Sequence, residues 1–464
     1  MKYSVLFPTL VRFLYYKVMV SNFFIYNKYL FKELIMSKLK LFLILASALL
    51  ISCTNPTEPE DQGTGGGGNG GGGTGNPSWF LTADQQSKPL NKRVVLKKTK
   101  SGEYYRIPGI VVTDKNTIIV VFDNRKGSNA DIGFANAAGI EPTVMRSTDG
   151  GGTWGTDIRV GEAATDKNNA HGDPVIFKAA NGDIVVLAAA GGAWATAPDV
   201  PSRISVSISK DDGITWSNWK DVHEDIFTTQ LPALVTDGSG DNSYFSKGFA
   251  ASGRGTTLSD GTLACTMLIG SKNGQTMKGA ATLYSKDNGQ SWKLGGWIRY
   301  LNNAYDEPKI IAQLTDGKIL MTARPNSANQ NRFWAVANSV TDNWVKYADV
   351  NLIDGRANAE GVRYTLKSEG HSKDRLLFLN CHGDGRKNLT LHMSEDEGLK
   401  WPTNLLLQSG DSCYSSIDVL GDGTIVIFAE EPNALSLKDT YDLVFRRVNL
   451  YDLTKGLQAY SDIW

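Results

Sequence analysis

The 464-residue sequence has little of what metal-binding and nucleic-acid-binding proteins need. It contains only five histidines, and no two of them stand at metal-ligand spacing with cysteines or carboxylates, so we expect no metal site. Its 48 basic and 48 acidic side chains leave no net charge, which argues against nucleic acid as a partner. Segments with the periodicity of an amphipathic helix are scarce, so an all-β fold is favoured.

The apolar run at residues 41–51 is too short to span a membrane, but it fits the hydrophobic region of a secretory signal that starts at Met36. The run ends in the letters LISC, which resemble the bacterial lipobox. We therefore expect residues 36–52 to be a lipoprotein signal peptide and Cys53 to be the lipidated residue. Residues 1–35 are then an upstream extension or a mis-assigned start. This pattern predicts an exported bacterial lipoprotein, held at the outer membrane, the cell surface or the periplasmic face.

The segment after Cys53 lacks the apolar residues of a core. Residues 53–79 are first acidic and then glycine-rich, which is typical of a flexible tether. No strand precedes the glycine run and no helix follows it, so it is not a phosphate-binding loop. Three cysteines remain beyond the tether, at 265, 381 and 413, an odd number that excludes a complete disulfide framework and allows one pair.

What the sequence does contain is one short pattern repeated four times. The copies span residues 147–154, 209–216, 285–292 and 394–401, and they share the form Ser-x-Asp-x-Gly-x-(Thr/Ser)-Trp, with Lys400 in place of the hydroxyl residue in the last copy. The Asp and hydroxyl side chains suit hydrogen bonds to nearby backbone, Gly suits a positive φ, and Trp can pin the turn onto a core. Four such turns in one chain indicate a repeat architecture.

Hairpins precede most of these turns. Asn-Gly or Asp-Gly pairs separate short apolar runs, and counting gives six units at roughly 106–154, 174–216, 250–292, 308–344, 374–401 and 414–449. Rings of four-stranded antiparallel sheets are β-propellers, so residues 80–464 are predicted to form a six-bladed propeller, with five or seven blades left open. The last unit has about three strands, and residues 94–97 could supply the fourth and close the ring.

The first unit opens with Tyr-Arg-Ile-Pro at residues 105–108. Together with the four Asp boxes, this motif resembles the bacterial exo-α-sialidase (neuraminidase) family over about 370 residues. The resemblance implies a six-bladed catalytic propeller and a retaining glycoside hydrolase that removes terminal sialic acids from glycoconjugates through a tyrosyl-enzyme intermediate. It implies no metal or organic cofactor. Sialylated glycans are the expected partners, the membrane is contacted through Cys53, and a monomer is expected.

Three arginines match the arginine triad of that family. They are Arg106 in the first motif, Arg324 in ILMTAR and Arg386 in GRKNLT, the last in the loosest context. A sialic acid carries a carboxylate on its anomeric carbon, and guanidinium groups with fixed donor forks suit such an anion. Any one of them alone could be a surface charge.

Further positions match the family's acidic and pocket residues. Asp131, six residues after Arg125, resembles the general acid/base, which protonates the leaving oxygen and then activates water. Arg125 resembles the arginine near the sugar's O4. Asp173 resembles another pocket carboxylate, with a turn-capping role as the alternative.

Tyr414 and Glu307 resemble the nucleophile and its base. A neutral phenol avoids the charge repulsion that a carboxylate nucleophile would meet beside the substrate's own carboxylate. Glu430 resembles the residue that steadies the first arginine, although Glu431 next to it offers the same group. Two other functions stay open: a trans-sialidase or intramolecular trans-sialidase with the same residues, and a propeller that binds sialosides without cleaving them.

Overall fold

The computed structural model describes residues 76–134, 139–194, 201–222, 225–234, 245–271, 277–435 and 439–463. The predicted upstream extension, the signal peptide, Cys53 and the glycine-rich part of the tether lie outside these residues. None of the helices in the described ranges has the length and apolar character needed to cross a membrane.

Strands are the main regular structure of the described chain, and many are rich in β-branched residues that suit a packed, pleated surface. The first fourteen are β1 (Lys92–Lys97), β2 (Glu103–Val112), β3 (Ile118–Lys126), β4 (Ile140–Ser147), β5 (Ile158–Arg159), β6 (His171–Lys178), β7 (Ile184–Gly191), β8 (Ser202–Ser209), β9 (Lys220–Asp221), β10 (Lys247–Ala250), β11 (Gly253–Arg254), β12 (Thr256–Thr257), β13 (Leu263–Gly270) and β14 (Lys278–Ser285).

The second half of the chain continues the same alternation of strand and turn. Its strands are β15 (Lys293–Arg299), β16 (Tyr305–Gln313), β17 (Ile319–Pro325), β18 (Gln330–Asn331), β19 (Phe333–Ala337), β20 (Val345–Lys346), β21 (Ile353–Asp354), β22 (Glu360–Thr365), β23 (Arg375–Cys381), β24 (Lys387–Ser394), β25 (Thr403–Asp411), β26 (Ser415–Val419), β27 (Ile425–Glu431) and β28 (Asp442–Val448).

Helical segments in the described ranges are single turns. The α-helical ones are α1 (Ala83–Gln86), α2 (Leu231–Ala233) and α3 (Leu450–Leu453). A π-helical turn spans Ile226–Gln230, and 3₁₀ turns span Leu301–Asn303, Lys367–Glu369 and Tyr460–Ile463.

The strands form six main sheets, which we number as blades 1 to 6. Blade 1 is β2-β3-β4-β5, blade 2 is β6-β7-β8-β9 with β11 added beside β6, and blade 3 is β10-β13-β14-β15 with β12 beside β13. Blade 4 is β16-β17-β19-β20, blade 5 is β22-β23-β24-β25, and β18 and β21 form a separate ribbon. Blade 6 is β26-β27-β28-β1, so the predicted six-bladed propeller is confirmed.

The ring closes as the sequence predicts. Strand β1 pairs antiparallel with β28, and Val94 lies opposite Phe445. The outermost strand of the last blade therefore comes from the start of the propeller. Such closure ties the two ends of the domain together across more than 300 residues and leaves no incomplete last blade.

The fifth unit was wrongly predicted to begin near residue 374. Its first strand is Glu360–Thr365, which pairs with β23. The two strands are joined by the long segment 366–374, which contains a 3₁₀ turn instead of an Asn-Gly or Asp-Gly pair. Without that tight-turn signal, the hairpin could not be recognised from sequence.

Each of the four repeated boxes forms the turn that follows the third strand of its blade. In the third copy, Asp287 accepts hydrogen bonds from the Ser285 hydroxyl at 2.7 Å and from the Ser291 backbone N–H at 2.9 Å. Gly289 has φ +88°, and the residue before it, Asn288, also has a positive φ of 56°. Two successive positive φ values are typical of the tight turns that join hairpin strands.

The tryptophans of the boxes fill the grooves between neighbouring blades. Trp292 of blade 3 lies 5.3 Å from the Phe177 ring of blade 2, and Trp154 of blade 1 lies 4.9 Å from the Phe445 ring of blade 6. Trp79, at the end of the predicted tether, packs against the same cluster as Trp154. Each box thus supports the ring as well as its own turn.

Candidate active site

One end of the propeller collects the predicted site residues in a single cavity. The inner strands β2, β16 and β26 begin at this end, and their antiparallel neighbours finish there, so residues from different blades meet around the axis. The cavity has a volume of about 610 Å³. Seven of the predicted site residues line it, namely Arg106, Asp131, Asp173, Glu307, Arg324, Arg386 and Tyr414. Arg125 and Glu430 lie directly behind this wall, each bonded to a lining residue.

The centre of the cavity holds a tyrosine and a glutamate. The hydroxyl of Tyr414 lies 2.8 Å from both carboxylate oxygens of Glu307. The two residues are 107 positions apart in sequence and belong to blades 6 and 4. This distance permits direct proton transfer from the phenol to the carboxylate.

The environment of Tyr414 keeps its phenol protonated in the free protein. Burial is the main cause, and with the negative charge of Glu307 it raises the pKa of Tyr414 well above its ordinary value. Arg324 and Arg386 act in the opposite direction. The phenol therefore needs an adjacent base to become a nucleophile, and Glu307 is in place for that task.

Arg106 is held by Glu430. Its Nε donates to Glu430 Oε1 at 2.7 Å, and the same carboxylate accepts the backbone N–H groups of Ile107 at 2.8 Å and Tyr414 at 3.0 Å. Burial would raise the pKa of Glu430, but Arg106 and these N–H donors outweigh it and the pKa is lowered. One buried carboxylate thus fixes both the first arginine and the backbone of the tyrosine.

The neighbouring Glu431 has a different role. It is fully buried and binds Arg93 at 2.8 Å and Arg446 at 2.6 Å, on strands β1 and β28. Successive residues of β27 point to opposite faces, so only one of the two glutamates can face Arg106. The choice between them, open in the sequence, therefore falls on Glu430.

Arg324 faces the tyrosine from β17. Its Nη1 lies 3.0 Å from the Tyr414 hydroxyl and 3.1 Å from Glu307 Oε2, and its Nη2 lies 3.1 Å from Asp306 Oδ1. Asp306 was not predicted as a site residue. Burial would raise its pKa, but Arg324 and Lys278 lower it below the ordinary value.

Arg386 reaches the cavity from the loop between β23 and β24. Its guanidinium carbon lies 5.8 Å from the centre of the Tyr414 ring, and that of Arg106 lies 5.7 Å from it. Its Nη1 contacts the carboxylate of Asp439 at 3.1 Å. Asp439 is the first residue of the last described range, 439–463. It belongs to no recognisable motif, so it was not predicted from the sequence.

Asp131 lies in the loop that follows β3. Its Oδ1 accepts a hydrogen bond from Arg125 Nη1 at 2.7 Å, and 60% of its side chain is exposed. Burial alone would raise the pKa of Asp131, but Arg125, Arg106 and Arg386 outweigh that effect and lower it. The carboxylate is therefore accessible and ionised in the free site.

The pKa of Asp173 is shifted in the opposite direction from that of Asp131. It stands in a bulge of β6 with φ 52°, a strained value for a residue other than glycine. Burial, together with the charges of Asp123 and Asp131, raises its pKa well above the ordinary value. A protonated Asp173 can donate a hydrogen bond into the cavity, which a turn-capping role would not require.

The remaining wall is apolar and was not predicted. It consists of Ile132, Phe134, Ala193, Trp194, Phe249 and Leu268. These residues come from loops and strand ends of blades 1 to 3. In the sequence, an apolar residue that lines a cavity cannot be distinguished from one that packs in the core. These side chains give the cavity an apolar part beside its arginines, and that part suits the carbon-bound hydrogen atoms of a ligand.

Within the described ranges, no group of three or more His, Cys, Asp or Glu side chains is arranged to hold a metal ion. The cysteines at 265, 381 and 413 are buried and free, so the pair that the sequence allowed does not form. Cys381 and Cys413 lie directly beneath Tyr414 and Ile107 in one cluster and serve there as small apolar side chains.

The fold and the cavity define a class: six-bladed propellers with Asp-box turns at one end and an arginine-lined pocket at the other. The chain matches the family model described as the BNR repeat-like domain over residues 139–427. The protein therefore belongs to the BNR repeat-like family.

Curated relatives of the chain include sialidases. The chain is 28% identical over 375 residues to a sialidase of Bacteroides fragilis, covering 76% of this chain and 63% of that protein. It is also 28% identical over 347 residues to a sialidase of Micromonospora viridifaciens, covering 70% of this chain and 50% of the relative. The chain thus spans between half and two thirds of the length of these two curated relatives.

Solved structures give the same fold. A Hadza microbial sialidase superposes with a TM-score of 0.61 at 25% identity, over 75% of this chain and 66% of that one. The intramolecular trans-sialidase from Ruminococcus gnavus superposes with a TM-score of 0.59 at 15% identity, over 78% of this chain and 97% of that one. At that identity the second match supports the fold alone.

Proposed function

We propose that the protein is a retaining exo-α-sialidase, a glycoside hydrolase that releases terminal sialic acids from glycoconjugates. The observation that carries this proposal is the contact of the Tyr414 hydroxyl with both Glu307 and Arg324, inside a cavity that three arginines line. A phenol with a base at hydrogen-bond distance and cations around it is an arrangement for nucleophilic attack beside an anionic group.

The substrate's carboxylate binds to Arg106, Arg324 and Arg386. All three guanidiniums line the cavity and lie near the tyrosine, so the carboxylate they hold brings the anomeric carbon next to the phenol oxygen. Charge-assisted and bidentate hydrogen bonds give this recognition both strength and orientation. Asp439 contacts Nη1 of Arg386 at 3.1 Å and so competes with the substrate's carboxylate for that group.

Tyr414 then attacks the anomeric carbon while Glu307 accepts the phenol proton. The oxygen–carbon bond that forms replaces the bond to the aglycone oxygen, and the product is a tyrosyl-linked sugar. The pKa of the phenol lies well above its ordinary value, so the base has to act during the attack and not before it. A carboxylate in the same place would be repelled by the substrate's carboxylate.

Asp131 protonates the departing aglycone oxygen and later takes a proton from the water that releases the sugar. In the empty cavity Arg125, Arg106 and Arg386 lower its pKa. A bound carboxylate offsets part of that positive charge, so substrate binding raises the pKa of Asp131 towards the range an acid needs. Asp173 and the apolar wall face the rest of the sugar, the first as a hydrogen-bond donor.

Product analysis tests this function directly. The purified protein is incubated with 3′-sialyllactose, and the products are resolved by mass spectrometry and NMR. We expect free sialic acid, released first as the α anomer because two inversions at carbon 2 restore the configuration. Absence of cleavage with all cavity residues intact would leave only a binding function.

Two other products in that assay would identify the alternative reactions that use the same residues. A 2,7-anhydro sugar would identify an intramolecular trans-sialidase, and a new sialoside formed on an added acceptor would identify a trans-sialidase. Both reactions share the tyrosyl intermediate and differ in what attacks it.

For location, we propose that Cys53 carries a lipid that tethers the propeller to a membrane, so that sialylated glycans outside the cell are its partners. Metabolic labelling with a palmitate analogue tests this, with Cys53→Ala as the control. Label retained in that variant would contradict the anchor.

A further inference from the structure

One buried carboxylate behind the cavity has no part in the mechanism above. Asp123 lies in β3 two residues before Arg125, on the same face of the strand, and both side chains are fully buried. Its Oδ2 accepts hydrogen bonds from Arg125 Nε at 3.1 Å and Nη2 at 2.9 Å. Its Oδ1 accepts the backbone N–H of Asp173 at 3.2 Å.

The other side of the same guanidinium faces the acid/base loop. Arg125 Nη1 donates to the backbone carbonyl of Asn129 at 3.0 Å and to Asp131 Oδ1 at 2.7 Å. Arg125 is thus a bridge, with one edge fixed by a buried carboxylate and the opposite edge holding an exposed one. The planar fork of an arginine transmits orientation along such a chain, because its donors cannot move independently.

The same series of contacts, from Asp123 through Arg125 to Asp131, also carries an electrostatic effect. Asp131 is faced by the cations Arg125, Arg106 and Arg386 and by the carboxyl groups of Asp123 and Asp173. Burial raises the pKa of Asp173 well above its ordinary value and that of Asp123 to about 6, so of the two Asp123 is the one that is ionised at neutral pH. Asp123 is the carboxylate that contacts Arg125 on its buried edge, so it balances part of that cation's charge. Without it, the full charge of Arg125 would act on Asp131 and favour the ionised carboxylate over the protonated acid.

We propose that Asp123 is a positioning residue for the acid/base carboxylate: it fixes the guanidinium that holds Asp131 and limits how strongly that guanidinium favours the ionised form. This inference rests on the proposed function, in which Asp131 is the acid. It explains why a buried acid–arginine pair stands in the strand that leads into the Asp131 loop.

The test is the variant Asp123→Asn, assayed with two leaving groups. 3′-Sialyllactose needs protonation of a poor leaving group, whereas 4-methylumbelliferyl sialoside carries a phenol that leaves with little help. Because general acid catalysis contributes about 10²–10⁴-fold, we expect kcat on sialyllactose to fall about 10²-fold and kcat on the aryl sialoside less than about threefold. The acid must be protonated, so a lowered pKa of Asp131 moves the alkaline limb of the kcat profile to lower pH.

Asp354→Asn is the matched control. Asp354 and Arg332 form another fully buried pair, 2.8 Å apart, and neither contacts Asp131. This variant should lower stability while leaving the ratio of the two kcat values and the alkaline limb unchanged. Where Asp123→Asn does not fold, Arg125→Lys tests the positioning role alone, since lysine keeps the charge but loses the fork. The leaving-group dependence is then expected with an unmoved alkaline limb, and equal loss on both substrates would overturn the role.

The outcomes separate the two proposals. Equal loss on both substrates with an unmoved pH profile would overturn the role of Asp123 and leave it a structural residue. Asp131→Asn shows which proposal has failed: if it gives the leaving-group dependence and Asp123→Asn does not, only the inference about Asp123 falls. If Asp131→Asn shows no such dependence, the assignment of the acid is wrong and the inference falls with it.

Discussion

The two ends of the propeller are built from the same blades but differ in how their polar residues are arranged. At the box end, Asp149, Asp211, Asp287 and Asp396 repeat one turn, and each carboxylate is satisfied by groups within four residues of it. At the cavity end no blade repeats its neighbour, and charged groups are paired both within a blade, as Arg125 with Asp123, and between blades. Glu430 and Arg106 are 324 positions apart.

This contrast indicates how the fold separates stability from chemistry. Local turns that repeat can hold the ring without reference to the cavity, because the hydrogen bonds of each repeated Asp stay within its box. Other box residues, such as Asp212, bond to a neighbouring blade and not to cavity residues. The cavity residues can then differ from blade to blade, and pairs such as Arg106 with Glu430, from blades 1 and 6, form only when the ring closes. Changes at the two ends should therefore have separable effects.

The largest effect is expected at the nucleophile. Tyr414→Phe removes only the hydroxyl that contacts Glu307 and Arg324, and the ring stays packed between two arginines. We expect kcat on 4-methylumbelliferyl sialoside to fall at least about 10³-fold, since loss of a nucleophile removes the covalent route. The melting temperature should stay close to that of the wild type, and retained turnover would exclude this role.

An intermediate effect is expected from Glu430→Gln. The change leaves the buried Arg106 without its counter-ion, which should destabilise the protein by about 3 kcal/mol and raise KM about tenfold through a misplaced guanidinium. Denaturant titration and steady-state kinetics measure the two effects.

Glu431→Gln is the matched comparison for that variant. Glu431 is as buried as Glu430, and its partners, the buried Arg446 and the partly exposed Arg93, do not line the cavity. We expect a similar loss of stability with an unchanged KM. A raised KM in this variant would show that the charge cluster around Glu431 affects the cavity, which would contradict the separation of stability from chemistry.

The smallest effects belong to the box end. Asp287→Ala removes the acceptor of three hydrogen bonds and should lower the free energy of unfolding by roughly 1–2 kcal/mol with kcat unchanged. In the fourth box Lys400 replaces the hydroxyl residue, so Lys400→Thr should restore one hydrogen bond to Asp396 and add about 0.5 kcal/mol. Altered kcat in either variant would show that the two ends are coupled.

The same contrast explains what could be predicted from sequence. The boxes, the hairpins and the closing strand were accessible because their signals lie within a few residues or repeat along the chain. The arginines and Tyr414 were accessible only through resemblance to a family. Asp123, Asp306 and Asp439 were missed because a buried or loop carboxylate has no periodic signal, even where its partner is as near in sequence as Arg125 is to Asp123.

The apolar wall was missed for a related reason. Trp194 and Phe249 look like core residues in sequence, and nothing local distinguishes an apolar side chain that faces a cavity from one that faces another strand. Only the curvature of the ring, which leaves space at its axis, exposes them.

The proposed mechanism depends most on the phenol oxygen of Tyr414 as the atom that forms the covalent bond to the sugar. The direct measurement is to treat the protein with a 2,3-difluorinated sialic acid, whose C3 fluorine slows release of the intermediate, and to locate the adduct by peptide mass spectrometry. The account predicts one sugar per chain on Tyr414 and none on Tyr414→Phe. An adduct on another residue, or steady turnover of a sialoside by the phenylalanine variant, would contradict it.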